Sequence, residues 1–238
     1  MTILLYQTDS YIKEFDASIV DLELSLHAVA LDRTAFFPGG GGQPADRGWL
    51  EIDGRVLPVI QVKRDGAQVW HVIAGALPEL GSRVTGRLDW DYRYRLMRTH
   101  TALHILCGVV WRDYGALVTG GNMEPLRGRM DFEFETLRQE LVREIEERVN
   151  AEVMAGREVR VRLLPREEAF RIPDLIRTKI NLLPPQITEV RLVEIVGLDL
   201  QADGGTHVAN TREVGHIRVV DYKSKGRINK RIEIELGD

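Results

Sequence analysis

A chain of 238 residues, 44% apolar and 29% charged, can bury one large core or two modest ones, and nowhere does it hold the roughly 18 uninterrupted apolar residues of a membrane-spanning helix. Its formal net charge of -4 argues against a protein that coats nucleic acid indiscriminately, while leaving room for a local basic surface. The single cysteine, Cys107, excludes an internal disulfide and any zinc site built on two or more thiolates, so a bound metal must rest mainly on nitrogen and oxygen.

The first residues lack the basic start and long apolar run of a signal peptide, which points to the cytoplasm. From there to about residue 90, short alternating apolar runs are separated by turn signals. Strands are expected at 17–26, 27–30, 49–52, 56–62, 68–72 and 82–88. Asp53-Gly54 and Asp65-Gly66 are strong hairpin turns, and residues 1–90 read as an all-β domain, a small barrel. From Asp91 the period turns helical, with Tyr94, Met97, Thr101, His104, Ile105 and Gly108 recurring three and four apart.

The second domain, 91–238, then alternates. A strand is expected at 129–134, a helix at 136–154, a strand at 158–164, a short helix near 166–170 and a strand at 190–196. A loop follows at 203–211, and two closing strands, 215–223 and 227–236, pair across Lys225-Gly226. Thr136 with Gln139 is expected to form a capping box on the long helix, and Gly156 to close it. The fold class is α+β: an N-terminal barrel, then a domain with a mostly antiparallel sheet and helices on one face.

Three motifs carry chemistry. His100 and His104 lie four apart in Arg98-Thr-His-Thr-Ala-Leu-His, so a helix projects both imidazoles from one face. Asp203-Gly-Gly-Thr-His207 can bring a carboxylate and a third imidazole to one point, because two glycines let the backbone turn tightly. Three imidazoles and a carboxylate suit zinc, with manganese, iron or cobalt less strongly excluded than by a thiolate. Asp203 has three readings: a fourth ligand, a general base on a metal-bound water, or a turn residue capping local amides. Cys107 shares the helical face of the histidines but lies in an apolar run, which favours burial, and His27, His71 and His216 read as structural.

The third motif is Phe36-Phe-Pro-Gly-Gly-Gly-Gly-Gln43, which lies between β segments and lacks the lysine of a nucleotide P-loop. Gly39, Gly40, Gly41 and Gly42 suit either a hairpin tip or close backbone approach to a ligand that Gln43 reads. Two basic groups stand apart: Arg93, Arg95 and Arg98 just before His100, and Lys223, Lys225, Arg227, Lys230 and Arg231 near the end. Most such runs are solvated surface, and proximity to a reaction centre favours phosphate contact.

Together the motifs resemble the alanyl-tRNA editing proteins of the AlaX family, relatives of the alanyl-tRNA synthetase editing domain. The length and glycine-rich loop are similar to its medium-length members. The resemblance covers nearly the whole chain and implies a trans-editing hydrolase that removes misattached serine, or glycine, from tRNA for alanine, without charging activity. Its zinc ligands fall on His100, His104 and His207, and its usual cysteine falls on Asp203. It also implies an amino-acid pocket shaped by Thr34 and Gln43, with Phe37 where a tyrosine is frequent. Asp203, Thr34 and Gln43 are then the catalytic candidates, and Lys223, Lys225, Arg227 and Lys230 the acceptor-stem contacts. No membrane partner is implied, and a monomer is compatible with the sequence. Two rival readings remain: an acceptor-stem binding module with an impaired site, and a metal-dependent hydrolase of a non-tRNA ester.

Overall fold

The computed structural model describes residues 2–173, 175 and 188–237. The chain divides into two compact units, Met1–Tyr94 and Arg95–Asp238. In the first, β1 (Ile3–Leu4) pairs in parallel with β4 (Arg33–Thr34), a short clip outside the expected strands. The remaining strands are β2 (Glu14–Glu23), β3 (Ala28–Leu31), β5 (Gly48–Ile52), β6 (Arg55–Asp65), β7 (Gln68–Ile73) and β8 (Arg83–Leu88). They close a six-stranded antiparallel barrel in the order β2-β3-β7-β6-β5-β8, with β8 returning to β2.

Alternation selects the interior. Phe15, Ala17 and Ile19 of β2 point inward with Leu50 and Ile52 of β5 and Leu57, Val59 and Val62 of β6. Two long strands bend through register shifts, at Ile19/Asp21 and Val59/Gln61, which is how a sheet this small curls shut. β2 starts three residues before the expected 17 because Glu14, Phe15 and Asp16 pair with Arg87, Gly86 and Thr85 of β8. Asp53 and Gly54 both take positive φ, 49° and 73°, in the expected tight hairpin turn.

Helix α1 (Trp90–Tyr114) begins in the first unit and continues into the second. Its first turn goes with the barrel because Arg93, fully buried, donates to the carbonyls of Ser10 and Ala35 and forms an ion pair with buried Asp46. Asp46 also accepts from the amide of Phe37, so one guanidinium ties both ends of the glycine-rich loop.

The second unit holds two antiparallel sheets where the sequence suggests one. β9 (Val118–Glu124), β10 (Arg127–Glu133), β14 (Ile217–Ser224) and β15 (Asn229–Leu236) form a four-stranded sheet in the order β14-β15-β10-β9. β11 (Val159–Pro165), β12 (Glu189–Ile195) and β13 (Asp199–Ala202) form the other, in chain order. Helix α2 (Gln139–Ala155) buries Val142, Ile145, Val149 and Val153. It is stitched to β14 by Asn150, which bonds both backbone groups of Ile217, and by Glu146 on the amide of Val219. A short α3 (Arg166–Ala169) follows β11.

The expected capping box does not form. Gln139 is the first helical residue rather than the third, and the N-cap Arg138 makes no side-chain cap. Gly156 does close the helix, in the left-handed conformation at φ 65°. Among the described residues no helix is long and apolar enough to cross a membrane.

Candidate metal centre

Helix α1 is a core helix. Leu96, Met97, Ala102, Ile105, Leu106, Val109 and Val110 are all fully buried, so the polar residues between them face protein rather than water. His100 and His104, each 6% exposed, project from one face of it with ring centroids 5.1 Å apart. The chain leaving β13 brings Asp203 and His207 to the same place. The His207 ring stacks on His100 at 4.2 Å and meets His104 edge-on at 4.7 Å. One ligand atom from each of His100, His104, Asp203 and His207 lies within 4.8 Å of the others.

Each imidazole is steered by a partner on its far side. Nδ1 of His104 is 2.9 Å from Oδ2 of buried Asp199, and Nδ1 of His207 is 3.2 Å from the Thr101 hydroxyl. His100 has a backbone hydrogen bond at Thr206. For His104 and His207 the remaining nitrogen is Nε2, which is left to the cluster centre. Burial holds His100 neutral, down to about 4 against the pull of Asp203, and burial likewise holds His207 well below its ordinary value. Neutral imidazole is the form that binds a metal.

For Asp203, burial acts to raise the carboxyl, but the facing His100 and the His207 hydrogen bond overcome it and hold the group well below the usual carboxylate range. Its Oδ1 is 3.6 Å from Nε2 of His100 and its Oδ2 3.0 Å from Nε2 of His207. Oδ2 also accepts from the amide of Gly205 at 2.8 Å, so the turn role and the facing of the histidines coexist in one carboxylate. Arg191, nearly buried, donates to the Asp203 carbonyl at 3.0 Å and fixes the backbone there. The donor set of three imidazole nitrogens and one carboxylate oxygen, each anchored from behind, fits a zinc-class divalent ion.

Sequence reasoning brought these four residues together but missed Asp199 and Thr101. Thr101 sat inside the recognised motif. Asp199 lies 95 residues from the histidine it holds, and no spacing rule reaches that far. Cys107 is buried as expected, its sulfur accepting from Gln201 at 3.3 Å.

In the first unit, Gly40 and Gln43 exchange backbone hydrogen bonds of 3.0 and 2.9 Å around Gly41 and Gly42, whose φ values of 59° and 90° require glycine. The Gln43 side chain is buried. Thr34 is fully buried, its hydroxyl 2.8 Å from Nε2 of His71 and 3.1 Å from the Phe36 amide that donates to it. His71 is therefore more than filler, and burial holds it down to about 4. Phe37 is buried edge-on against Tyr6.

The basic groups are largely committed. Besides Arg93, Arg98 donates to the carbonyls of Val214 and Gly237. Lys223 pairs with Asp221 and Glu233, and Arg231 with Asp131. Lys230 is turned inward, its ammonium 2.8 Å from the carbonyls of Gly226 and Arg227, so the hairpin turn takes it from the expected phosphate set. Lys225 and Arg227 are exposed.

Comparison with known proteins agrees with this layout. Residues 190–233 match the family described as the threonyl and alanyl tRNA synthetase second additional domain, and residues 8–92, the barrel, match class II (A) tRNA synthetases. The chain is 42% identical to the alanyl-tRNA editing protein AlaX-M of Saccharolobus solfataricus, covering 98% of each chain. It is 37% identical to AlaX-M of Methanosarcina acetivorans over the full length of both. It is also 38% identical to the alanine–tRNA ligase of Ignicoccus hospitalis over 98% of this chain, which spans only 26% of that enzyme. With full-length identity at this level, the chain belongs to the AlaX-M family of alanyl-tRNA editing proteins.

Proposed function

We propose that this chain is a metal-dependent aminoacyl-tRNA hydrolase acting in trans, which clears serine, with glycine as a second substrate amino acid, from tRNA for alanine. The observation that carries the reading is the cluster of buried His100, His104 and His207 with partly buried Asp203 in a chain of this family. A bound zinc ion would polarise the ester carbonyl or lower the pKa of a water. The chain's own residues would hold that ion: His100, His104 and His207, of which His100 and His207 are held toward the neutral form by burial, and Asp203 as the anionic fourth ligand.

Recognition of the amino acid is assigned to Thr34 and Gln43, with the amides of Gly39–Gly42 as backbone contacts. A site that hydrogen-bonds the serine hydroxyl rejects an analogue lacking it by up to about 10⁴–10⁵, enough to spare correctly charged Ala-tRNA and to make glycine, which lacks it too, a far poorer substrate than serine. Release of serine from Ser-tRNA for alanine tests the proposal. Binding of that tRNA with the ester left intact would instead identify an acceptor-stem binding module. Cleavage of free esters regardless of the tRNA body would identify a general esterase.

The tRNA phosphates are assigned to Lys225 and Arg227, assisted by Lys223, which already serves two carboxylates. The Lys225→Ala/Arg227→Ala pair is expected to flatten the log–log salt dependence of tRNA binding by about 2, near 0.9 per lost contact. An unchanged slope in a filter-binding titration would remove the hairpin from the interface.

Asp203→Cys is expected to keep zinc occupancy at or above the wild-type level, since a thiolate is a better zinc ligand and reaches a similar distance. Elemental analysis showing metal loss in that variant would contradict Asp203 as a ligand.

A further inference from the structure

We infer that Asp199 is a positioning residue for His104, and that Gly108 exists to let it reach. The inference rests on the metal reading above, and it concerns residues that neither the sequence motifs nor the family resemblance singles out. Asp199 opens β13, is buried, and places Oδ2 2.9 Å from Nδ1 of His104. With its Nδ1 proton directed at a carboxylate, the ring must present Nε2 to the cluster. It also cannot rotate without giving up its contact with that carboxylate.

The carboxylate is itself fixed. Gln201, two residues on along β13, donates to the same Oδ2 at 2.8 Å. The amide nitrogen is also 3.3 Å from the sulfur of Cys107, so the chain of contacts starts and ends on α1.

Gly108 supplies an independent observation. It sits one turn beyond His104 in the interior of α1, where glycine weakens a helix and any other small residue would serve propensity better. A Cβ on it would meet Leu198 Cγ at 2.9 Å and Asp199 Cβ at 3.1 Å. The missing side chain is the space through which the start of β13 approaches the helix. Leu198 is buried there, and both chain segments are backbone-anchored, so an added methyl has little room to be absorbed.

The test is zinc affinity, measured by competition with a chromophoric chelator, together with the visible absorption of the cobalt-loaded protein. Asp199→Ala is expected to bind zinc about 10- to 100-fold more weakly than wild type and to alter the cobalt spectrum, because the ligand field at His104 changes. Asp199→Asn keeps the shape and one acceptor oxygen, so it should recover part of the loss. Gly108→Ala should weaken zinc binding in the same direction, and the Gly108→Ala/Asp199→Ala double variant should lose less than the product of the two single losses, because both act through one contact.

Wild-type zinc affinity and an unchanged cobalt spectrum in Asp199→Ala would overturn the inference while leaving the four-ligand site intact. If that variant fails to fold, wild-type affinity in both Asp199→Asn and Gly108→Ala overturns it equally. A wild-type protein that binds neither ion would sink the metal site itself, and Asp199's role with it.

Discussion

Replacing His104 with alanine should abolish serine release from Ser-tRNA for alanine and empty the metal site together. The residue supplies one of four donor atoms gathered within 4.8 Å, and it sits on a fully buried stretch of α1. A residue that merely orients a ligand is worth about 10- to 100-fold in affinity or activity, so losing a ligand should cost at least about 100-fold in kcat/KM. The substitution also leaves Asp199 facing an apolar methyl in place of a ring nitrogen, which adds a stability cost on top of the lost metal. Single-turnover hydrolysis and metal content should therefore fall in parallel. Undiminished hydrolysis in a metal-depleted variant would end the metal mechanism even though the family assignment stands.

Arg93→Met should be the most destabilising single change in the barrel unit. The guanidinium and its partner Asp46 are both almost completely buried, at 1% and 0% side-chain exposure, and the arginine also satisfies the carbonyls of Ser10 and Ala35. Removing one partner of such a pair strands a buried charge, at a cost of about 3–5 kcal/mol. For a unit of this size each kcal/mol lowers the melting point by roughly 4–8 °C, so a fall of ten degrees or more is expected. The Arg93→Met/Asp46→Leu double variant should recover much of the loss by removing the orphaned charge, although the Phe37 amide then loses its acceptor. A shift of only a degree or two in Arg93→Met would show that water reaches the pair. Because Asp46 holds Phe37, the single variant should also loosen the glycine-rich loop, visible as faster amide exchange at Gly40 and Gln43.

What the sequence reveals follows the range of its signals. The barrel strands and α1 are legible because alternation and the three-to-four spacing are local, and the clustering of His100, His104, Asp203 and His207 is legible because a helix and a Gly-Gly turn each fix their own pair. β9 is missed because Val118–Glu124 contains two adjacent glycines and an asparagine, poor strand formers that pair only because β10 lies alongside. β13 is missed because four residues, Asp199–Ala202, are too few to show a period, and with them went Asp199. The capping box fails because α2 starts at Gln139, which makes Arg138 rather than Thr136 the N-cap. Lys230 illustrates the limit of reading charge: its position in a basic run looks like a phosphate contact, but the turn it sits beside needs its ammonium for two carbonyls. Asp203 stays ambiguous in sequence because a turn residue and a ligand can be the same carboxylate, and here it bonds Gly205 while facing two histidines.

The most direct test of metal-dependent editing is serine release from Ser-tRNA for alanine by one preparation in three states: as purified, after chelation, and after zinc is restored to one equivalent. Activity should be lost on chelation and return with zinc, while tRNA binding through Lys225 and Arg227 persists throughout. Hydrolysis that continues at its original rate after the metal is gone, with elemental analysis confirming its absence, would contradict the central claim.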